Sequence, residues 1–160
     1  DLHLHAFKIM NPKKRIEEEI GIPDDDFAVA EYKILAGWNQ KIARYFKAQN
    51  NNALYIYDFG DYLEHELKLE KILPRDDQKE YPICVAGRRA CPPEDVGGVP
   101  GYFEFCSALK DPNHEEHESY MEWSGGDFDS ERFDSDSVNW ELMKYLRWSR
   151  DRYQNWGDAE

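Results

Sequence analysis

No apolar run in this 160-residue sequence approaches the roughly 20 residues that cross a bilayer, and no segment reads as a signal peptide. Cysteine is scarce and odd in number. Cys84, Cys91 and Cys106 cannot make a disulfide scaffold for a chain of this size, so a cytoplasmic protein is the default expectation. Basic charge is also in short supply. Twenty Lys and Arg face 33 Asp and Glu, for a net charge of -13. Sequence-independent grip on a phosphate backbone needs the opposite balance, so nucleic acid is a poor partner for the domain as a whole. The short basic sets (Lys13-Lys14-Arg15, Arg88-Arg89, and Lys144, Arg147, Arg150 and Arg152) read as solvated faces. There is no Walker A loop, Rossmann glycine fingerprint, nucleophile elbow or His-Glu-x-x-His motif, which sets aside the common nucleotide-binding and hydrolase classes. The acidic run from Asp127 fails as a calcium loop. Arg132 and Val138 stand where Gly and Glu are required.

Apolar residues are plentiful, at 41%, with 14% aromatic, which is enough for a packed core. The chain opens at Asp1 directly into an alternating run, so residues 2–9 are expected to be a strand and the full protein is expected to extend upstream. Residues 13–20 fit one or two helical turns, closed by Gly21 and Pro23, and Asp24–Asp26 fit an acidic turn. A stripe of Trp38, Ile42, Tyr45, Phe46 and Gln49 predicts an amphipathic helix over 37–49. Residues 53–59 and 63–73, joined at Gly60-Asp61, predict a β-hairpin with Leu63, His65 and Leu67 on its buried face. A short strand is expected at 81–86. Helices are expected at about 101–110, from a cap at Asp111 to about Trp123, and at about 138–153, with a loop over 127–137. Early strands and late helices, with no internal repeat or linker, predict one α+β domain over 1–160 whose C-terminal half is mainly helical.

Several of these segments together resemble the plasmid pRiA4b ORF-3-like family. They are Tyr57-Asp58-Phe59-Gly60-Asp61 with Glu64-His65-Glu66 and Leu69-Glu70, and Cys91-Pro92-Pro93-Glu94-Asp95-Val96-Gly97-Gly98 with Gly101-Tyr102. His3-Leu4-His5-Ala6-Phe7 and the late Asp111-Pro112, His114, His117 and Trp123 complete the set. The resemblance implies an antiparallel-rich α+β roll with the hairpin packed by helices. It also implies an N-terminal strand and helix ahead of His3, and an association with plasmids and transposable elements without an established activity. Tyr62-Leu63 departs from the family's small residue followed by Trp.

Candidate sites follow from side-chain chemistry. Asp58 and Asp61 suit a tight hairpin corner, with Gly60 free to take positive φ. With Glu64 they could also converge as oxygen ligands for a hard cation. His65 reads as a hydrogen-bonded core histidine or as a ligand or base. His3 and His5 share one face of a strand, and His114 and His117 one face of a helix. If these pairs met with His65, zinc would be the natural occupant. Cys84 and Cys91 are too far apart in sequence for a common zinc motif, and Cys106 reads as a small core residue. In Glu94-Asp95-Val96-Gly97-Gly98 the glycines allow close approach by a ligand, while the two acids suit either acid–base work or helix capping. The leading expectation is a non-catalytic binding module with a protein or basic peptide as partner, no membrane contact and no required cofactor. The alternative is a metal-dependent enzyme using His65, His114, His117 and the Glu94/Asp95 pair, with an ion such as zinc.

Overall fold

The computed structural model describes residues 3–23 and 34–144. Its contacts divide the chain into two compact units: Asp1–Leu73 with Pro93–Pro112, and Pro74–Pro92 with Asn113–Glu160.

The first unit is built on five strands: β1 (His5–Asn11), β2 (Ile16–Gly21), β3 (Leu35–Ala36), β4 (Asn52–Tyr57) and β5 (Leu63–Lys68). They form one sheet in the order β3-β2-β1-β4-β5, antiparallel except for the β2–β3 pair. The expected hairpin is present, and it supplies one side of the sheet while β1 takes the middle. Two short helical pieces, a 3-10 turn Gly37–Asn39 and α1 (Ile42–Tyr45), precede β4. Helix α2 (Gly98–Lys110) closes the unit. The fold is α+β.

One expected helix is a strand and another is cut short. Residues 16–21 are a strand because Asn11 makes a tight turn. Its side-chain oxygen accepts the N–H groups of Lys13 and Lys14 at 3.0 and 3.1 Å, and Arg15 takes a left-handed φ of 58°. That turn sends the chain back along β1, with Phe7 opposite Ile20 and Ile9 opposite Glu18. Alternation of Ile16, Glu18 and Ile20 then puts these three on one face. The helix expected over 37–49 reduces to the four residues of α1, because its residues are drawn into the sheet's core. Tyr45 joins Ile9 and Ile20 in a buried cluster bordered by Phe7, Leu35, Phe46 and Ala53. The Asn50 amide then donates to the carbonyls of Met10 and Tyr45. Tertiary bonds of this kind outweigh a modest helical periodicity.

Glu18 lies inside this core. Its carboxylate accepts hydrogen bonds from the Asn11 amide, the Tyr45 hydroxyl and the Lys14 ammonium, each at 2.8 Å. Burial alone would raise its pKa, but the three donors outweigh burial and hold it at about 2. Burial and the bond to Glu18 push the Tyr45 phenol up.

The second unit carries α3 (His117–Trp123) and a helix that starts at residue 135. No strand forms at 81–86. Instead the Asn139 side chain accepts the Cys84 N–H at 2.8 Å and donates to the Cys84 carbonyl at 3.0 Å, and Ala90 donates to the Ser130 carbonyl. Helix α3 begins later than expected. Asp111 ends α2, donating its N–H to the Ser107 carbonyl, instead of capping the next helix. His114 therefore lies in the turn ahead of α3 and only His117 is helical. The last expected helix is described as far as residue 144. The acidic turn at 24–26 and Arg147, Arg150 and Arg152 lie outside the described residues. Among the described residues no helix is long and apolar enough to cross a membrane.

Candidate functional site

Three stretches of the first unit that are far apart in sequence meet at one corner. The first is the segment entering β1. The Asp58 N–H donates to the Leu4 carbonyl at 3.0 Å, which extends the pairing of β1 with β4 and lays His3 beside the hairpin turn.

The second stretch is the turn itself. Asp58 and Tyr62 take left-handed φ values of 55° and 52°, and it is these residues, not Gly60, that reverse the chain. Aspartate tolerates this conformation because its short side chain can bond locally. Asp58 does so, with its Oδ1 accepting the Gly60 N–H at 2.9 Å while its carbonyl accepts the Tyr62 N–H at 2.6 Å.

The third stretch is the loop before α2. Asp95, Gly97 and Gly98 all have left-handed φ, at 58°, 89° and 66°. Val96 is buried between them. Gly98 is confined as well as left-handed, since a Cβ there would lie 2.5 Å from the Asp61 carbonyl oxygen. The Gly97 N–H donates to Asp61 Oδ2 at 3.2 Å, fastening the loop to the hairpin. Pro100 falls in the first turn of α2, where a missing N–H leaves no gap in the ladder.

The result is a histidine among carboxylates. His3 Nδ1 lies 3.2 Å from Asp58 Oδ2, and His3 Nε2 lies 3.6 Å from Glu94 Oε2. Ligand atoms of His3, Asp58 and Asp95 all fall within 4.8 Å of one another. His3 and Asp58 are the inner pair, with side chains 19% and 13% exposed, whereas Glu94 is 61% exposed and Asp95 is at the surface. The Tyr57 hydroxyl lies 3.2 and 3.1 Å from the two Glu94 oxygens. Burial first, then the bond to Glu94, pushes the Tyr57 phenol up to about 12, so it stays a donor at neutral pH.

Of the residues singled out in the sequence, His3, Asp58, Glu94 and Asp95 come together. Asp61 serves the loop backbone instead, and Glu64 lies on β5 opposite Ile56, outside the ligand group. His3 and His5 do share a face, where their rings lie 5.7 Å from Tyr57 and 5.9 Å from Tyr55, but His5 is outside the group. His65 is not a core histidine. It is exposed, 5.5 Å from the Tyr55 ring, because β5 is the outermost strand of the sheet. His114 and His117 belong to the second unit, where His114 Nδ1 accepts the Glu116 N–H. The role of Tyr57 was not foreseen. Its signal is only the Tyr-Asp sequence at the end of a strand, with no mark of the partner 37 residues on.

Comparison with known proteins agrees with this architecture. The family model for plasmid pRiA4b ORF-3-like protein matches residues 1–137. The chain is 37% identical over 134 residues to uncharacterized protein y4hQ of Sinorhizobium fredii (strain NBRC 101917 / NGR234). That alignment covers 80% of the chain and 62% of y4hQ, so the chain spans less than two thirds of this relative's length. The crystal structure of a protein of unknown function, MM3350 from Methanosarcina mazei Go1, superposes with a TM-score of 0.76 at 46% identity. The superposition covers 86% of this chain and 73% of that one.

Proposed function

The chain belongs to the plasmid pRiA4b ORF-3-like protein family, and within it we propose that the chain is a non-catalytic binding module for a basic segment of a protein partner. One observation carries the reading: Asp58, Glu94 and Asp95, from two distant loops, are held together around His3 at one corner of the first unit. Carboxylates held this way attract and orient positive charge. Phe59 and Tyr62 in the same turn are 39% and 49% exposed, giving Lys and Arg stems apolar surface and the guanidinium an aromatic face. A loop already fixed by left-handed residues loses little freedom on binding. The overall charge of -13 favours basic partners over nucleic acid.

The test is an array of Lys- and Arg-rich peptides, with acidic peptides of equal length as controls, probed with the whole chain at two salt concentrations. Basic peptides carrying an aromatic residue are expected to bind, more weakly at high salt. Asp95→Asn is expected to weaken that binding about tenfold. Asn adopts left-handed φ readily, so the loop is preserved. Unchanged binding would remove the loop from the reading. The alternative, a metal-dependent enzyme using His65, His114, His117 and the Glu94/Asp95 pair, would draw on both units, with His114 and His117 in the second and the others in the first.

A further inference from the structure

We propose that this corner is a divalent-metal site, with His3 Nδ1, Asp58 and Asp95 as ligands and Glu94, held by Tyr57, as the carboxylate that orients the imidazole. The inference concerns the same corner as the partner reading but does not rest on it, because the chain alone supplies every group.

The first support is spacing. Two ligands on a tetrahedral ion with bonds of about 2.0–2.2 Å are separated by roughly 3.4 Å. His3 Nδ1 and Asp58 Oδ2 already stand 3.2 Å apart, and the third ligand atom falls within the 4.8 Å span of the group. The third ligand, Asp95, is an exposed side chain.

The second support is independent of the ligand atoms. A histidine that binds metal through one ring nitrogen usually donates its other N–H to a carboxylate, which fixes the tautomer and the ring plane. His3 Nε2 faces Glu94 Oε2 at 3.6 Å, and Glu94 is in turn hydrogen-bonded by Tyr57. Glu94 thus stands on the Nε2 side of the ring while Nδ1 faces Asp58.

The third support is charge. With the imidazole neutral, as a ligand must be, Asp58, Glu94 and Asp95 bring three negative charges to one partly buried corner, and like charges so placed repel. A dication removes most of that repulsion. One nitrogen among oxygen donors selects a first-row ion such as Zn2+ or Mn2+ over Ca2+ or Mg2+, which favour oxygen alone. Positions left open by the protein would be filled by water or by a ligand group.

The test is calorimetric titration of Zn2+ and Mn2+ into the untagged whole chain after chelator treatment and dialysis. One equivalent is expected to bind. His3→Ala and Asp95→Asn should each weaken it about 30-fold or more, and Glu94→Gln about tenfold, the range for groups that orient a metal ligand. His65→Ala and His114→Ala should leave it unchanged. Co2+ substitution should give visible absorption without a thiolate charge-transfer band. Absence of stoichiometric binding at about 0.1 mM, or binding that survives Asp95→Asn, or binding lost with His114→Ala, overturns the proposal. Should His3→Ala fail to fold, Asp95→Asn decides the matter. Repeating the peptide array with and without chelator separates the two readings, since metal can bind without any peptide and peptides can bind in chelator.

Discussion

The two ends of β1 hold carboxylates in opposite circumstances. At its C-terminal end Glu18 is buried and receives three hydrogen bonds, one from an ammonium. At its N-terminal end Asp58, Glu94 and Asp95 surround a single histidine. A buried carboxylate with its acceptor sites filled has no capacity left for a ligand, and its role is to hold a fold together. The carboxylates around His3 accept only neutral donors besides it, the Gly60 N–H at Asp58 and the Tyr57 hydroxyl at Glu94, and like charges so placed repel. The Glu18 end is thus a structural device, and the His3 end is the one proposed to bind, although both gather carboxylates beside the ends of β1.

The largest expected effect comes from breaking the structural end. Glu18→Ala strands the buried Asn11 amide, leaves the Tyr45 hydroxyl with Gln40 alone, and should lower unfolding stability by about 2–4 kcal/mol in urea titrations. Metal affinity of the molecules that remain folded should not change. Gly101→Ala comes next. A Cβ there would lie 1.9 Å from the Val96 carbonyl oxygen, so the first turn of α2 must shift, at about 2 kcal/mol, and the neighbouring Asp95 with it. Unlike Glu18→Ala, this variant should lose both stability and binding.

Acid should separate the ends further. The folded pKa of Glu18 lies near 2, below its ordinary 4.5, so its contribution is complete above about pH 4.5 and is lost as pH falls toward 2. A shift of that size corresponds to about 3 kcal/mol at most. The exposed Lys14 partner is screened by water, so on the order of 2 kcal/mol is expected, and Glu18→Gln should flatten the acid limb of the stability curve. The smallest effect belongs to Tyr57→Phe. It removes the hydroxyl next to Glu94 with only a few tenths of a kcal/mol in stability, since that bond is at the surface. In an ultraviolet titration it should abolish the phenol that ionises near pH 12.

The sequence revealed local features better than distant ones. The hairpin was legible because Asn52–Tyr57 and Leu63–Lys68 alternate about a turn of Asp and Gly, signals contained within a dozen residues. The presence of α2 was legible, although Pro and Gly punctuation put its start at about residue 101 and it begins at Gly98. Strand β2 was not, because Glu17, Glu18 and Glu19 hide the alternation of Ile16 and Ile20, and the reason for a buried Glu18 is Tyr45, 27 residues away. His3, Asp58, Glu94 and Asp95 could each be picked out singly. Their meeting could not, since it depends on β1 pairing with β4 and on a backbone bond from the loop to Asp61. His65 misled because a strand's alternation says which residues share a face, and not whether anything covers it.

The most direct test of the contrast is to make Glu18→Gln and Asp95→Asn and measure urea stability and Zn2+ affinity on both. The account predicts that Glu18→Gln unfolds more easily while binding zinc as tightly as the parent. It predicts that Asp95→Asn is as stable as the parent, or slightly more so through relieved repulsion, and binds at least about 30-fold more weakly. Asp95→Asn losing stability while keeping full affinity would contradict the account.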